Sequence, residues 1–325
     1  MATSLDPVLR EQLLYRRHTL EKSIAESAAA AQLVELLQQV DQALERMDHG
    51  TYGICEVCHE SVEPERLAAD PLARFCLDHL TPAGQRALEQ DLQLARRIQA
   101  GLLPKSDMAH DGWHTCYHYQ PAGLVSGDYC DVVDGGRRGL FFMLGDVSGK
   151  GIAAAMLMAN LHALFRALIS AGLPLGELVT QASRAFCETT LATHYATLVC
   201  GRAQNTGEIE ICNAGHLPPL HIHQGKVVEV PSTGLPLGMF CSQEFTLSRI
   251  SLQAGDTLLL YTDGLTEAED AAGTPYGTER LSRLAAGNHA AAGSGLVSSC
   301  LKDLDAFRGA AEMRDDLTLM AVSRA

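Results

Sequence analysis

Apolar positions follow different rhythms in the two parts of the chain. Beyond Pro7, Leu9, Leu13, Leu20 and Ile24 recur at four- and seven-residue steps, and Leu33, Leu37, Val40, Leu44 and Met47 keep a near-heptad spacing. Such spacing gathers side chains on one helical face. It predicts two helices in an antiparallel hairpin, or one long helix, with a hairpin turn at residues 27–31. Thr81-Pro82 then reads as an N-cap followed by a first helical position. Leu88, Leu92, Ala95, Gln99 and Leu102 share a stripe on that helix, and Pro104 ends it.

From Trp113 onward the pattern is mixed. Apolar runs of strand length occupy residues 140–144, 196–200, 209–212, 257–261 and 317–322, and helical periodicity covers 152–171, 175–190 and 296–307. On the first of these helices Leu157, Leu161, Leu164, Phe165 and Leu168 share a face. On the second, Leu175, Leu178, Val179, Ala182 and Phe186 do. Strands and helices come in blocks, which predicts an α+β fold with antiparallel pairing rather than a doubly wound sheet. The expected division is a helical hairpin (1–49), a short Gly- and Cys-rich module (50–80), a linker helix (81–104) and a large domain (105–325).

Charge narrows the function. The net charge is −14, and a polyanion repels nucleic acid unless basic residues are concentrated locally. Arg16, Arg17 and Lys22 are diluted by Glu11, Glu21 and Glu26, so no direct nucleic-acid contact is expected. No apolar run reads as long enough to cross a bilayer, and the N-terminal residues lack a signal core. A cytoplasmic protein with no membrane contact is therefore expected. Its ten cysteines should then be reduced. Cys116, Cys130, Cys187, Cys200, Cys212, Cys241 and Cys300 are read as small buried hydrophobes.

The other three cysteines are different. Cys55-x-x-Cys58 is followed, after seventeen residues, by Cys76-x-x-His79. Two short chelating pairs across such a loop supply four tetrahedral ligands for one structural Zn²⁺. His59 has the wrong spacing and is left out. The run LERMDHGTYGICEVCHESVEPERLAADPLARFCLDH resembles the zinc finger of the TraR/DksA family, which also follows a helical hairpin. The resemblance covers residues 33–80, with His79 standing where that family commonly has a fourth cysteine. Members of the family insert their coiled coil into RNA polymerase through acidic residues at its tip. Here Glu26 alone stands near the tip, so the resemblance stops short of assigning RNA polymerase as a partner.

Aspartates at the ends of apolar runs carry the strongest catalytic signal. Asp146 opens GDVSGKG, Asp263 lies in YTDGLTEA, Asp315 and Asp316 precede LTLM, and Asp128 lies in SGDYCDV near Asp131. Any single Asp-Gly is most often a turn. Several carboxylates converging at one sheet edge repel one another and need cations, and oxygen ligands favour Mg²⁺ or Mn²⁺. Two such ions activate a water for in-line attack on phosphorus. GDVSGKG is not a phosphate-binding P-loop, because its glycine spacing is one residue short and Gly151 follows Lys150. His114, Cys116 and His118 read as one face of a half-buried strand, His216 as a turn residue, and His221 and His223 as polar strand positions.

The motifs PAGLVSGDYCDV, LGDVSGKGIAAAMLMA, NAGHLPPL, TGLPLG, LLLYTDGLTEA and RDDLTLM, preceded by LARRIQAGLLP, resemble the SpoIIE-type branch of the PPM metal-dependent protein phosphatases over residues 92–322. The resemblance implies an α-β-β-α sandwich with two catalytic ions at one end of the sheets. It implies Asp146 as the bridging ligand, the Val147 carbonyl as a further ligand, Asp263 and Asp315 completing the set, and Asp128 contributing directly or through water. Asp316 is the lesser member of its pair. Ser148 stands where larger relatives have a histidine that donates a proton to the leaving group, and no replacement acid is identified. The implied substrate is phosphoserine or phosphothreonine on a regulatory partner, a STAS-domain anti-sigma-factor antagonist or similar protein, with a homodimer formed along the linker helix. The competing reading is a polymerase-binding or zinc- or redox-sensing regulator with a degenerate phosphatase domain. The complete set of aspartates argues against degeneracy.

Overall fold

Continuous apolar runs such as LFFML can be buried only if both faces of their strand are covered, and the structure covers both. The computed structural model describes residues 6–26, 31–79, 82–191, 193–291 and 293–325. It divides into two compact units, Met1–Asp91 and Leu92–Ala325.

In the first unit, α1 (Asp6–Glu26) and α2 (Ala31–Asp48) form the expected hairpin. Leu13 and Leu20 of α1 bury against Val40, Ala43 and Leu44 of α2. Arg10 pairs with Asp48 at 2.7 Å and Arg17 with Asp41 at 3.0 Å, so the helices run antiparallel. Exposed pairs of this kind contribute at most about 1 kcal/mol each, and the apolar seam holds the hairpin. Of its predicted turn at 27–31, residues 27–30 lie outside the described residues, as does the predicted N-cap Thr81, and Ala31 already begins α2. The short module that follows carries α3 (Pro64–Ala69) and a small core of Leu9, Cys55, Val62, Leu67, Ala73 and Cys76. The division between the two units falls within α4 (Pro82–Leu102). On its predicted stripe Leu88 is exposed, Leu92 and Ala95 are half-buried, and Gln99 is buried.

The second unit begins with β1 (Asp107–His110), β2 (Trp113–Gln120), β3 (Asp128–Asp134) and β4 (Leu140–Val147). The helices α5 (Gly151–Ala171) and α6 (Leu175–Thr189) follow. Then come β5 (Ala196–Ala203), β6 (Glu208–Ala214), β7 (Leu220–His223), β8 (Lys226–Glu229), β9 (Ser248–Ser251) and β10 (Thr257–Tyr261). Last are α7 (Asp263–Thr266), α8 (Thr278–Gly287), α9 (Gly293–Arg308) and β11 (Leu317–Arg324). One sheet has the order β1-β2-β11-β10-β7-β8 and the other β3-β4-β5-β6-β9, with every neighbouring pair antiparallel.

Period-two alternation sorts the side chains between layers. On β4, Leu140, Phe142 and Leu144 enter the core between the sheets, where they meet Leu258 and Leu260 of β10 and Met320 and Val322 of β11. Phe141 and Met143 point the other way, toward Met158, Leu161 and Phe165 of α5 and Phe186 of α6. Leu259, Tyr261, Leu319 and Ala321 cover the opposite outer face with Leu281 of α8 and Leu296 and Leu304 of α9. The fold is the expected α-β-β-α sandwich. Short polar strands such as KVVE and SRIS carried too little apolar signal to be anticipated, as did α8.

Two expectations are corrected. Contrary to the reading that no segment could span a bilayer, α5 is long and apolar enough by length and composition. Its Ala154, Met158, Leu161, Phe165 and Ile169 are buried against the second sheet, while Ile152 and Met156 are exposed. Second, Cys187 and Cys241 are not buried thiols. Cys187 is half-buried on α6, Cys241 is exposed, and the two form a disulfide across 54 residues of chain. Sequence order hid their proximity. Denaturing the unreduced protein in iodoacetamide should leave this pair unlabelled; labelling of all ten cysteines without reductant would contradict the bond.

Candidate metal centre and carboxylate site

The four ligands predicted in the first unit converge. One ligand atom each from Cys55, Cys58, Cys76 and His79 lies within 4.8 Å of the others, and no other group of three or more His, Cys, Asp and Glu among the described residues converges in this way. Local backbone hydrogen bonds build the site. Cys55 N donates to Glu60 O at 2.8 Å and His59 N donates to Cys55 O at 3.0 Å, which closes the first knuckle. His59 occupies the left-handed turn position, φ 58°, and so turns the chain beside the ligand set. Cys76 Sγ lies 3.1 Å from His79 Nδ1 and 3.9 Å from Cys58 Sγ. Burial raises the Cys55 thiol, but backbone N–H groups of Cys58, Cys76 and Val57 outweigh it and bring it down to about 6. Burial, together with Cys55 and Cys58, pushes Cys76 up to about 11. Three sulfurs and an imidazole packed this closely suit a thiophilic tetrahedral cation such as zinc.

The carboxylates gather at one end of the sandwich. Asp128 opens β3 opposite Asp146 near the end of β4. Asp263 follows β10, and Asp315 and Asp316 precede β11, whose pairing with β10 sets Tyr261 opposite Leu319. Asp128 belongs to one sheet but is bonded by the other: Thr262 Oγ1 donates to its Oδ2 at 3.0 Å, and the Thr318 hydroxyl donates to the same oxygen. It is 1% exposed. Burial raises it well above the carboxylate range, and Asp146 and Asp316 raise it further. Asp146 is pushed up to about 7 by burial and by the charges of Asp263, Asp315 and Asp316. Asp263 is raised by burial, Asp315 and Glu267. Such repulsion is what carboxylates held together without a counter-charge show, and cations among them would relieve it. The Val147 carbonyl faces the same space, since a Cβ at Gly127 would stand 3.1 Å from it and 3.5 Å from Asp146 Oδ1.

The neighbours have distinct duties. Asp316 accepts from Ala122 N at 2.8 Å and Gly127 N at 2.9 Å, so both of its oxygens fasten the loop before β3. Asp315 accepts from Lys150 Nζ at 2.9 Å. Ser148 is tied to Tyr195: its N donates to Tyr195 O at 2.9 Å, and its Oγ accepts from Tyr195 N at 3.0 Å. Gly264 is not a left-handed turn residue. A side chain there would collide with the Asp316 carbonyl, so Asp-Gly here marks close approach of two strand ends. His216 is a turn residue, with Asn213 Oδ1 accepting its N–H, and it is more than that. Its Nε2–H donates to Tyr261 O at 3.1 Å, so Nδ1 accepts from Thr197 Oγ1 at 2.8 Å, joining β5 to β10. Burial lowers it to about 4, so it is neutral at physiological pH. Thr262, Thr318, Lys150 and the bridging role of His216 carried no separate sequence signal. His114 pairs with Asp107 at 2.8 Å, and His221 and His223 pair with Asp256 at 3.3 and 2.7 Å.

Residues 136–325, more than half of the chain, match the family model described as Stage II sporulation protein E (SpoIIE). The chain belongs to the SpoIIE family. Residues 50–78 match the prokaryotic dksA/traR C4-type zinc finger, and His79 falls just beyond that match. Protein IcfG of Synechocystis is 27% identical over 264 residues, which cover 72% of this chain and 41% of that protein. Phosphoserine phosphatase RsbP of Bacillus subtilis is 31% identical over 187 residues, 55% of this chain and 46% of that protein. The chain thus spans less than half the length of either relative. The structure of the RsbU and RsbW domains of Rv1364c from Mycobacterium tuberculosis is similar with TM-score 0.59 and 31% identity, covering 68% of this chain and 63% of that one.

Within this SpoIIE-family domain the carboxyl of Asp146 has a direct consequence for stability. Its folded-state pKa is raised from 3.8 to about 7, so the folded protein keeps a proton that the unfolded chain loses between those values. Without metal, stability should fall as pH rises through that window. Bound cations remove the repulsion, so Mn²⁺ should raise Tm more at about pH 7.5 than at about pH 5; an equal shift would contradict the coupling. Separately, one equivalent of Zn²⁺ added to metal-stripped protein should protect Cys55, Cys58 and Cys76 from alkylation, and His79→Ala should weaken that protection.

Proposed function

We propose that the chain is a cytoplasmic, metal-dependent phosphoprotein phosphatase that removes phosphate from serine or threonine on a regulatory partner. The observation that carries this reading is the convergence of Asp146, Asp263 and Asp315 at the end of the sandwich, close enough that burial and their neighbours' charges raise the carboxyls of Asp146 and Asp263. Family membership and the printed activity of RsbP, a phosphoserine phosphatase, support it. Asp146, Asp263, Asp315 and the Val147 carbonyl would hold two Mn²⁺ or Mg²⁺ ions. When bound, these ions supply an activated water and neutralise charge at the phosphoryl group.

The remaining work falls to the protein's own residues. Asp128 stays in the interior, fixing Asp146 relative to Thr262 and so to Asp263. Asp316 anchors the loop carrying Gly127, whose lack of a side chain leaves room for the Val147 carbonyl. Neither Ser148, whose hydroxyl is a weak acid, nor the buried neutral His216, whose Nε2–H is held by Tyr261 O, is suited to protonate a leaving alkoxide. By resemblance the partner is a phosphorylated STAS-domain anti-sigma-factor antagonist. The Zn²⁺-binding module acts as a regulator joined to the phosphatase through α4, along which two copies would dimerise.

Asp146→Asn should reduce Mn²⁺-dependent hydrolysis of a phosphorylated STAS protein, or of p-nitrophenyl phosphate, to background. Undiminished turnover in that variant would sink the mechanism.

A further inference from the structure

A phosphomonoester brings roughly −1.5 to −2 charges at neutral pH. It must approach a surface lined by Asp263, Asp315 and Glu267, in a chain of net charge −14. Two divalent cations would offset the charges of Asp146, Asp263, Asp315 and Glu267 and leave no surplus, so a further positive group that is free to move would add to the hold on the outer phosphoryl oxygens. The nearby polar residues are already committed. The Thr262 and Thr318 hydroxyls point to Asp128, Ser148 is tied to Tyr195, and His216 is buried and spans two strands.

Lys150 is the exception. It lies between Gly149 (φ +99°) and Gly151 (φ +74°) at the N-cap of α5, where its side chain caps nothing. Instead its Nζ crosses to Asp315 Oδ2 at 2.9 Å and to the Arg314 carbonyl at 3.1 Å. The pair is exposed, 68% for the lysine and 37% for the aspartate, and exposed ion pairs exchange partners at little cost. Lys150 also lines a cleft of about 490 Å³ that runs from Asp315 past Gly264 and Glu267. Of the other basic groups lining the cleft, Arg314 is bound to Glu269 at 2.6 Å and Arg308 has its Nε buried, which leaves Lys150 as the one paired with Asp315.

We propose that Lys150 is the substrate-binding cation of this site: its ammonium group rests on Asp315 in the free protein and turns to the phosphoryl oxygens of an incoming phosphomonoester. The proposal rests on the phosphatase reading above and deepens it. It also accounts for the glycines on either side of Lys150, whose left-handed conformations turn the backbone so that its side chain overhangs the carboxylates.

The test uses the whole chain described above, loaded with Mn²⁺, as wild type, Lys150→Gln and Lys150→Arg. Inorganic phosphate binding is measured by titration calorimetry, Mn²⁺ affinity in a separate titration, and kcat and KM with p-nitrophenyl phosphate. Lys150→Gln should weaken phosphate binding and raise KM by roughly 10- to 100-fold, the range of a lost charge-assisted hydrogen bond. Mn²⁺ affinity should hold or tighten because a competing cation has gone, and Lys150→Arg should recover part of the phosphate affinity. Unchanged phosphate affinity, or a loss of Mn²⁺ affinity large enough to explain the whole effect, would overturn the proposal. A wild-type protein with no Mn²⁺-dependent turnover would instead sink the phosphatase reading, and the phosphate titration would still decide the role of Lys150.

Discussion

One buried carboxylate organises the end of the sandwich. Asp128 starts a strand of one sheet, yet its side chain is bonded by Thr262 and Thr318 at strand ends of the other. A carboxyl group this deep is tolerated only with its hydrogen bonds made, and leaving a buried polar group unsatisfied costs about 1–3 kcal/mol. The clasp therefore sets the register between sheets where it matters most. Asp146 lies opposite Asp128 on the paired strand, and Asp263 directly follows Thr262. A slip of either sheet would separate Asp146 from Asp263.

Around that clasp, the remaining groups divide into those that shape the space and those left free to act. Asp316, Gly264 and Gly127 work on backbone geometry: two loop amides are fastened, and two missing side chains let strand ends and a carbonyl approach. Asp146, Asp263 and Asp315 are left with unfavourable proximity, which appears as raised carboxyl pKa values at Asp146 and Asp263. A fold that keeps such repulsion in place is spending stability on a site. The disulfide between Cys187 and Cys241 lies apart from this set and ties α6 to the loop before β9.

The small module of the first unit follows a different economy. Its core of Leu9, Cys55, Val62, Leu67, Ala73 and Cys76 is too small to hold a fold by burial alone. Two of those six residues are themselves candidate ligands, so the groups that form the core are also those that would bind the ion. Metal affinity and folding are then one free energy.

Much of this was legible from residue order, for a physical reason in each case. The zinc-type cluster was readable because chelating pairs are local: two residues between ligands fix a knuckle whatever surrounds it. The sandwich strands were readable where both faces are buried, as in LFFML, and unreadable where they are short edges, as in KVVE. The aspartates were named from their position at the ends of apolar runs and from motif order. Their coupling, by contrast, is a property of distance. That Asp128 is clasped by Thr262 and Thr318, that Asp316 is spent on backbone amides, that Lys150 reaches Asp315 and that Cys187 meets Cys241 all depend on contacts between residues 54 to 194 positions apart. Local chemistry and periodicity are written along the chain. Which distant side chains share one low-dielectric space is decided only when the two sheets close on each other.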